Sequence, residues 1–319
     1  SSLDNTPRLV EGVDDESGGS LHAMMLDMKR TFDEIVEAHA DPDRAAQILA
    51  NPFYQSLSSS FAGTQEYMAM EKLGQLRHAD EWDLIVVDTP PSRSALDFLD
   101  APQRLGRFLD GRLIRLLTVP ARTGMSYMKV LNAGFSIMTS ALTKILGAQV
   151  LKDAQTFITA FDTMFGGFRE RADATYKLLQ APGTSFLVIA TPEPDALREA
   201  SYFVERLDTE RMPLAGLILN RVHVSPAARL SAARSLAAAE ALDVHDGPDG
   251  SGPRYGLAAA VLRMHAERMN LGKRERRLAE HFTSAHPAIP VAEVVAQPED
   301  VHDLDGLRVI GTILSEQRP

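Results

Sequence analysis

The chain contains no cysteine. That excludes disulfides, a thiol nucleophile and any thiolate metal site, and it suits a reducing cytoplasm, the expected compartment. Positive charge is also short: 33 Lys and Arg face 43 Asp and Glu, for a net charge of -10. A broad basic face for nucleic acid is therefore not expected. No apolar run is long enough to span a bilayer. The most lipid-like window, 130–143, lies between Lys129 and Lys144, and a span needs about 20 residues. Any membrane association is expected to be peripheral at most. The first 20 residues are polar and acidic, unlike a secretory signal. The histidines form neither HExxH nor HxH, and G-x-S-x-G is absent. A zinc hydrolase and a hydrolase elbow are both unsupported.

What is present reads as strands alternating with helices. A continuous apolar run, Leu84-Ile85-Val86-Val87, ends at Asp88 and meets Thr89-Pro90-Pro91. Unbroken apolar runs are how strands buried on both faces of a parallel sheet read, and two successive prolines cannot continue one. Ser92 then suits the cap of a helix. Further buried strands are expected at 185–190, 214–219 (ending at Asn220-Arg221) and 289–295. Another is expected at 21–27, ending in an acid, with loop before it. Helices are expected from Met28, from Asp41-Pro42 with proline at a favourable early position, over 195–207, from Ser225-Pro226 to Leu242, over 257–282 and at the C-terminus. The 103–179 block reads as helical throughout. These features predict an α/β protein with a mostly parallel, doubly wound sheet, and a helical insertion at 103–180. A carboxylate at the C-terminal end of a central strand sits where such sheets bind ligands. In nucleoside triphosphatases that position holds the magnesium coordination sphere beside the phosphates.

Within the helical block, Met128, Leu131, Phe135, Met138 and Leu142 recur at three- and four-residue spacing. A second apolar side, Val130, Ile137 and Ala141, favours burial in a core or dimer contact. A flexible Met-lined groove for an apolar helix is the rival reading.

The ordered set of motifs resembles the ArsA-type ATPases, among them the arsenite-pump ATPase and the ATPase that delivers tail-anchored membrane proteins. The segment LIVVDTPPSRSALDFLDAP is similar to that family's switch II. Gly63-Thr64-Gln65-Glu66 resembles its Pro-Gly-x-x-Glu, with Ala62 where proline is usual. Thr191-Pro192-Glu193 and the helix with Glu199 resemble the segment after the family's helical insertion. LILNRVH places Asn220 where the family has an adenine-contacting asparagine. Gln297-Pro298-Glu299-Asp300-Val301-His302 resembles the late loop near the base, with Asp300 for the usual Glu and His302 for a common Arg.

The resemblance implies a P-loop NTPase-like fold and an ATPase that uses ATP and magnesium. Asp88 would orient a magnesium-bound water, with Thr89 and Pro90 beside it. Asn220, Arg221, Pro298 and Asp300 would line the nucleotide. It further implies a homodimer, or a heterodimer with a related subunit, that closes on ATP and reopens on hydrolysis. An apolar protein client at Met128, Leu131, Phe135, Met138 and Leu142 follows from the position of the client-binding helices in part of the family.

One element is missing. No G-x-x-x-x-G-K-[ST] occurs, and Gly272-Lys273 stands among arginines in a helix. The expectation is a single ATPase-like domain, 1–319, truncated before its phosphate-binding loop. Two alternatives stay open: a pseudo-ATPase that binds a client through its Met-rich block, and a partitioning or septum-positioning ATPase.

Overall fold

In the computed structural model, which describes residues 3–13, 18–52, 54–55, 64–89, 170–245 and 255–317, the chain divides into two units, Ser1–Leu178 and Leu179–Pro319. The first begins with β1 (Arg8–Leu9) paired antiparallel to β2 (His22–Ala23). Here the sequence expectation needs correction, since the strand foreseen at 21–27 is only two residues long and β1 arises in a stretch expected to be loop. Asp27 accounts for the difference. Its side chain accepts the Arg30 N–H and caps α1 (Met28–His39), so this acid starts a helix and does not end a strand.

Helix α1 buries Thr31, Phe32, Ile35 and Val36, the three- and four-residue spacing of one helical face. Buried Asn5 fastens the N-terminal segment to it. Its amide donates to Glu34, and its Oδ1 accepts from the Asp27 N–H and the Thr31 hydroxyl. Asp41 caps α2 (Pro42–Leu49), whose proline occupies the first turn as expected. Along α3 (Thr64–Ala79), Met68 and Met70 are buried. Lys72 reaches Glu34 on α1 at 3.1 Å. Glu71, also buried, accepts from Arg171 Nε at 2.9 Å on α4 (170–180). A Cβ at Gly74 would stand 2.9 Å from the Thr175 hydroxyl, so the glycine lets α3 and α4 pack closely there.

Residues 84–87 are not a strand. They form an extended, unpaired segment with Leu84 79% and Val86 83% exposed. A parallel strand is held by evenly spaced hydrogen bonds to its neighbours, and among the described residues no strand pairs with this one. Four apolar residues announce a strand's burial; they do not supply its neighbours. Trp82, just before, packs edge-on against His22 with ring centroids 5.0 Å apart.

The second unit is built on a parallel three-stranded sheet in the order β3 (Phe186–Ala190), β4 (Leu214–Val222), β5 (Val291–Val295). Val188 pairs with Leu217 and Ala190 with Leu219, all four buried. Between β3 and β4 runs α5 (Pro194–Thr209), which turns Leu197, Ala200, Val204 and Leu207 inward. Between β4 and β5 runs a helical pair, α6 (Ala232–His245) and α7 (Gly256–Ala285). Small buried residues, Ser235 and Ala239 on α6 and Ala259 and Ala266 on α7, suit their close packing. The α6 start differs from the expected Ser225-Pro226: residues 226–229 are a turn, and Ser231 accepts the Arg234 N–H at the true start. Asp303 caps α8 (Leu304–Glu316) by accepting from Gly306 N–H. Among the described residues no helix is long and apolar enough to cross a membrane.

Candidate functional site

The C-terminal ends of β4 and β5 carry an irregularity in an otherwise regular ladder. Leu219 faces Glu293 and Val222 faces Val295, so β4 spends one residue more than β5 over this interval. Asn220 and Arg221 together stand opposite the single Val294. Arg221 adopts the left-handed conformation, φ 60°, which costs a non-glycine residue about 1 kcal/mol or more. Asn220 Oδ1 accepts the Arg221 N–H at 2.9 Å. Beyond the irregularity, the Ala296 N–H donates to Val222 O at 3.0 Å and restores the pairing. Bulges of this kind re-aim side chains at the edges of sites.

The loop after β5 returns to the same place. Arg221 Nη2 lies 3.7 Å from Asp300 Oδ1, and both side chains are well exposed. An ion pair that open to water contributes about 0–1 kcal/mol, so neither partner is strongly committed to the other. Gln297 Nε2 donates to Val295 O, and His302 Nδ1–H donates to Asp300 O. These bonds shape the turn that presents exposed Pro298. Four of the residues singled out in the sequence, Asn220, Arg221, Pro298 and Asp300, thus stand on one end of one sheet. That is the end at which parallel α/β sheets take ligands. Chemically the cluster offers the Asn220 amide N–H groups as donors, a guanidinium and a carboxylate. A nucleobase edge needs such a mixed set.

Asp88 and Thr89 belong to the first unit, at the exposed end of the unpaired segment. Among the described residues Asp88 has no hydrogen-bond or ion-pair partner. An uncommitted carboxylate is the donor type that hard magnesium accepts, either directly or through water, so the residue fits the group. Among the described residues no cluster of three or more His, Asp or Glu is arranged to hold a metal ion. Pro90 and the groove residues Met128, Leu131, Phe135, Met138 and Leu142 lie outside the described residues.

Sequence reasoning missed the residues that hold the segment leaving β4. They sit on α7: His265, Arg268, Gly272 and Glu275. Glu275 was hidden inside Lys273-Arg274-Glu275-Arg276-Arg277, which reads as a solvated helix surface. The one available signal was Gly272, since glycine inside a helix costs about 1 kcal/mol and usually answers a packing need.

The sequence matches the family described as Anion-transporting ATPase (ArsA ATPase) over residues 5–241, roughly three quarters of the chain. Comparison with individual curated proteins gives no match.

Proposed function

Because the chain belongs to the anion-transporting ATPase family, we propose that it is a nucleotide-driven switch subunit that binds Mg-ATP and hydrolyses it. In this reading Asn220, Arg221, Pro298 and Asp300 hold the adenine end of the nucleotide. For Asp88, Thr89 and Pro90 in the first unit, the family resemblance alone implies a role toward phosphates. The magnesium ion that accompanies ATP supplies charge neutralisation at the phosphates, and Asp88 would hold a water of its coordination shell. The reaction is in-line attack of water on the γ-phosphorus, with the proton leaving to solvent and ADP departing. The chain's part in it is positioning and the exclusion of competing geometries.

The observation that carries the proposal is the bulge at Asn220-Arg221. A strained, left-handed arginine at the ligand end of a parallel sheet is costly, and such strain collects at binding sites. It falls at the residue pair that the family resemblance implies for the nucleotide. We further propose that the sheet is doubly wound and extended beyond β3, that the phosphates are held by a glycine-rich loop not contained in these 319 residues, and that two subunits close on the nucleotide. These 319 residues offer no cysteine thiolate for arsenite capture.

Photolabelling with an azido-adenine analogue of ATP, followed by peptide mapping, tests the adenine end. Labelling should fall on 220–224 or 296–303 and be competed by ATP. Labelling elsewhere, or none that ATP competes, would refute the assignment.

A further inference from the structure

Helix α7 grips the chain where it leaves β4, and it does so with one face. His265, Arg268, Gly272 and Glu275 are spaced three, four and three residues apart, which places them in one line along a helix. Glu275 is buried, at 6% exposure. One carboxylate oxygen accepts the His223 backbone N–H at 2.8 Å, and the other accepts His223 Nδ1–H at 2.7 Å. Gly272 brings the backbones together: a Cβ there would meet His223 O at 2.6 Å. Arg268 Nε donates to Val224 O at 2.8 Å. His265 Nε2–H donates to Leu230 O at 2.7 Å, while its Nδ1 accepts from the Ser225 hydroxyl at 3.0 Å.

We infer that Glu275 is a positioning residue for the base-binding end of β4, acting on Asn220 and Arg221 through its double hold on His223. This rests on the nucleotide reading given above and adds to it a residue outside the segment matched by the family. A left-handed arginine persists only where its surroundings over-determine the backbone. On one side of Asn220-Arg221 the ladder fixes Leu219 against Glu293. On the other side the hold begins at Val222 and is completed two residues after Arg221, at His223, by a buried carboxylate. The two site residues are strung between these fixed points, so their direction depends on both. The buried charge fits this role, because a carboxylate accepts stronger hydrogen bonds than a neutral group.

The opposite face of α7 supplies the control. Glu267, Asn270, Lys273, Arg274 and Arg277 line an open groove there, remote from the hold on His223 along the helix circumference.

The test compares the unaltered natural protein with Glu275→Ala, Glu275→Gln, Gly272→Ala and Arg274→Ala. Amide exchange without ligand reads the brace itself, and Mg-ATP and Mg-GTP affinities read its effect on the base site. Glu275→Ala should speed exchange at 222–225 about tenfold or more while 214–219 stays protected. It should also weaken Mg-ATP about tenfold and reduce the preference for ATP over GTP in proportion. Glu275→Gln should remain within about threefold of the parent, because its amide can accept the backbone N–H and donate to the other His223 tautomer. Gly272→Ala should act like Glu275→Ala, and Arg274→Ala should change nothing. Faster exchange with an unchanged ATP-to-GTP ratio would overturn the inference and reduce the brace to packing. A Glu275→Gln protein as impaired as Glu275→Ala would overturn the hydrogen-bond explanation. Absence of any adenine-nucleotide binding by the unaltered protein would overturn the proposed function, and this inference with it, before a variant is made. Should Glu275→Ala not fold, Gly272→Ala and Glu275→Gln decide the matter.

Discussion

Raising the pH should destabilise the first unit through one phenol. Tyr54 is fully buried, packs edge-on against Phe32 and donates its hydroxyl to Asp33 Oδ1. Burial first, and then the hydrogen bond and charge of Asp33, raise its pKa well above the ordinary value of 10.0. The sign follows from linkage. Below about pH 10 both folded and unfolded chains keep the proton, and the full contribution is present. Above it the unfolded chain releases the proton and the folded chain does not, so stability falls by about 1.4 kcal/mol for each further pH unit. By about pH 11.5 the loss reaches about 2 kcal/mol. Tyr54→Phe removes this slope. It also leaves Asp33 Oδ1 without its donor, in a side chain only 14% exposed, at a cost of about 1–3 kcal/mol near neutrality. The two stability curves should therefore converge as the pH rises. Urea unfolding of both proteins between about pH 7 and 11.5 measures this, with tyrosinate absorbance followed in parallel. Parallel curves, or ionisation of Tyr54 in the folded protein near its ordinary pKa, would refute the reasoning.

Three further outcomes follow from other contacts. Gly216→Ala should lower stability by about 1–3 kcal/mol in thermal or urea unfolding, because the new Cβ would lie 2.8 Å from Pro290 O, the carbonyl that accepts the Leu217 N–H. Asp27→Ala removes the cap of α1 and should cost about 1 kcal/mol, read as an earlier urea midpoint. Arg221→Gly should raise stability by about 1 kcal/mol by relieving the left-handed strain, while weakening ATP binding through loss of the guanidinium; a variant that loses both would place Arg221 in the packing and not in the site.

Much of this was legible in the sequence because local chemistry and tertiary outcome agree. Asp41-Pro42 starts a helix, and β3, β4 and β5 fall where apolar runs placed them. The nucleotide roles proposed for Asn220, Arg221, Pro298 and Asp300 come from the family resemblance. The rest depends on partners that no short window contains. Asp27 looks alike as a strand end and as a helix cap, and only the Arg30 N–H decides. The bulge at Asn220-Arg221 carries no glycine to announce a positive φ. Glu275 is indistinguishable from its charged neighbours until His223, 52 residues away, meets it. Leu84 to Val87 have the composition of a central strand, yet composition supplies no hydrogen-bonding neighbour.

The central claim is tested most directly by calorimetric titration of Mg-ATP, with hydrolysis followed in the same samples. The chain of 319 residues should be compared with the natural protein carrying whatever sequence lies upstream. The account predicts that the protein with its phosphate-binding loop binds Mg-ATP and turns it over. Asn220→Ala should weaken binding there, and Asp88→Asn should lower turnover about a hundredfold or more while leaving binding largely intact. A natural protein that neither binds nor hydrolyses ATP, or whose turnover is indifferent to Asp88→Asn, would contradict it.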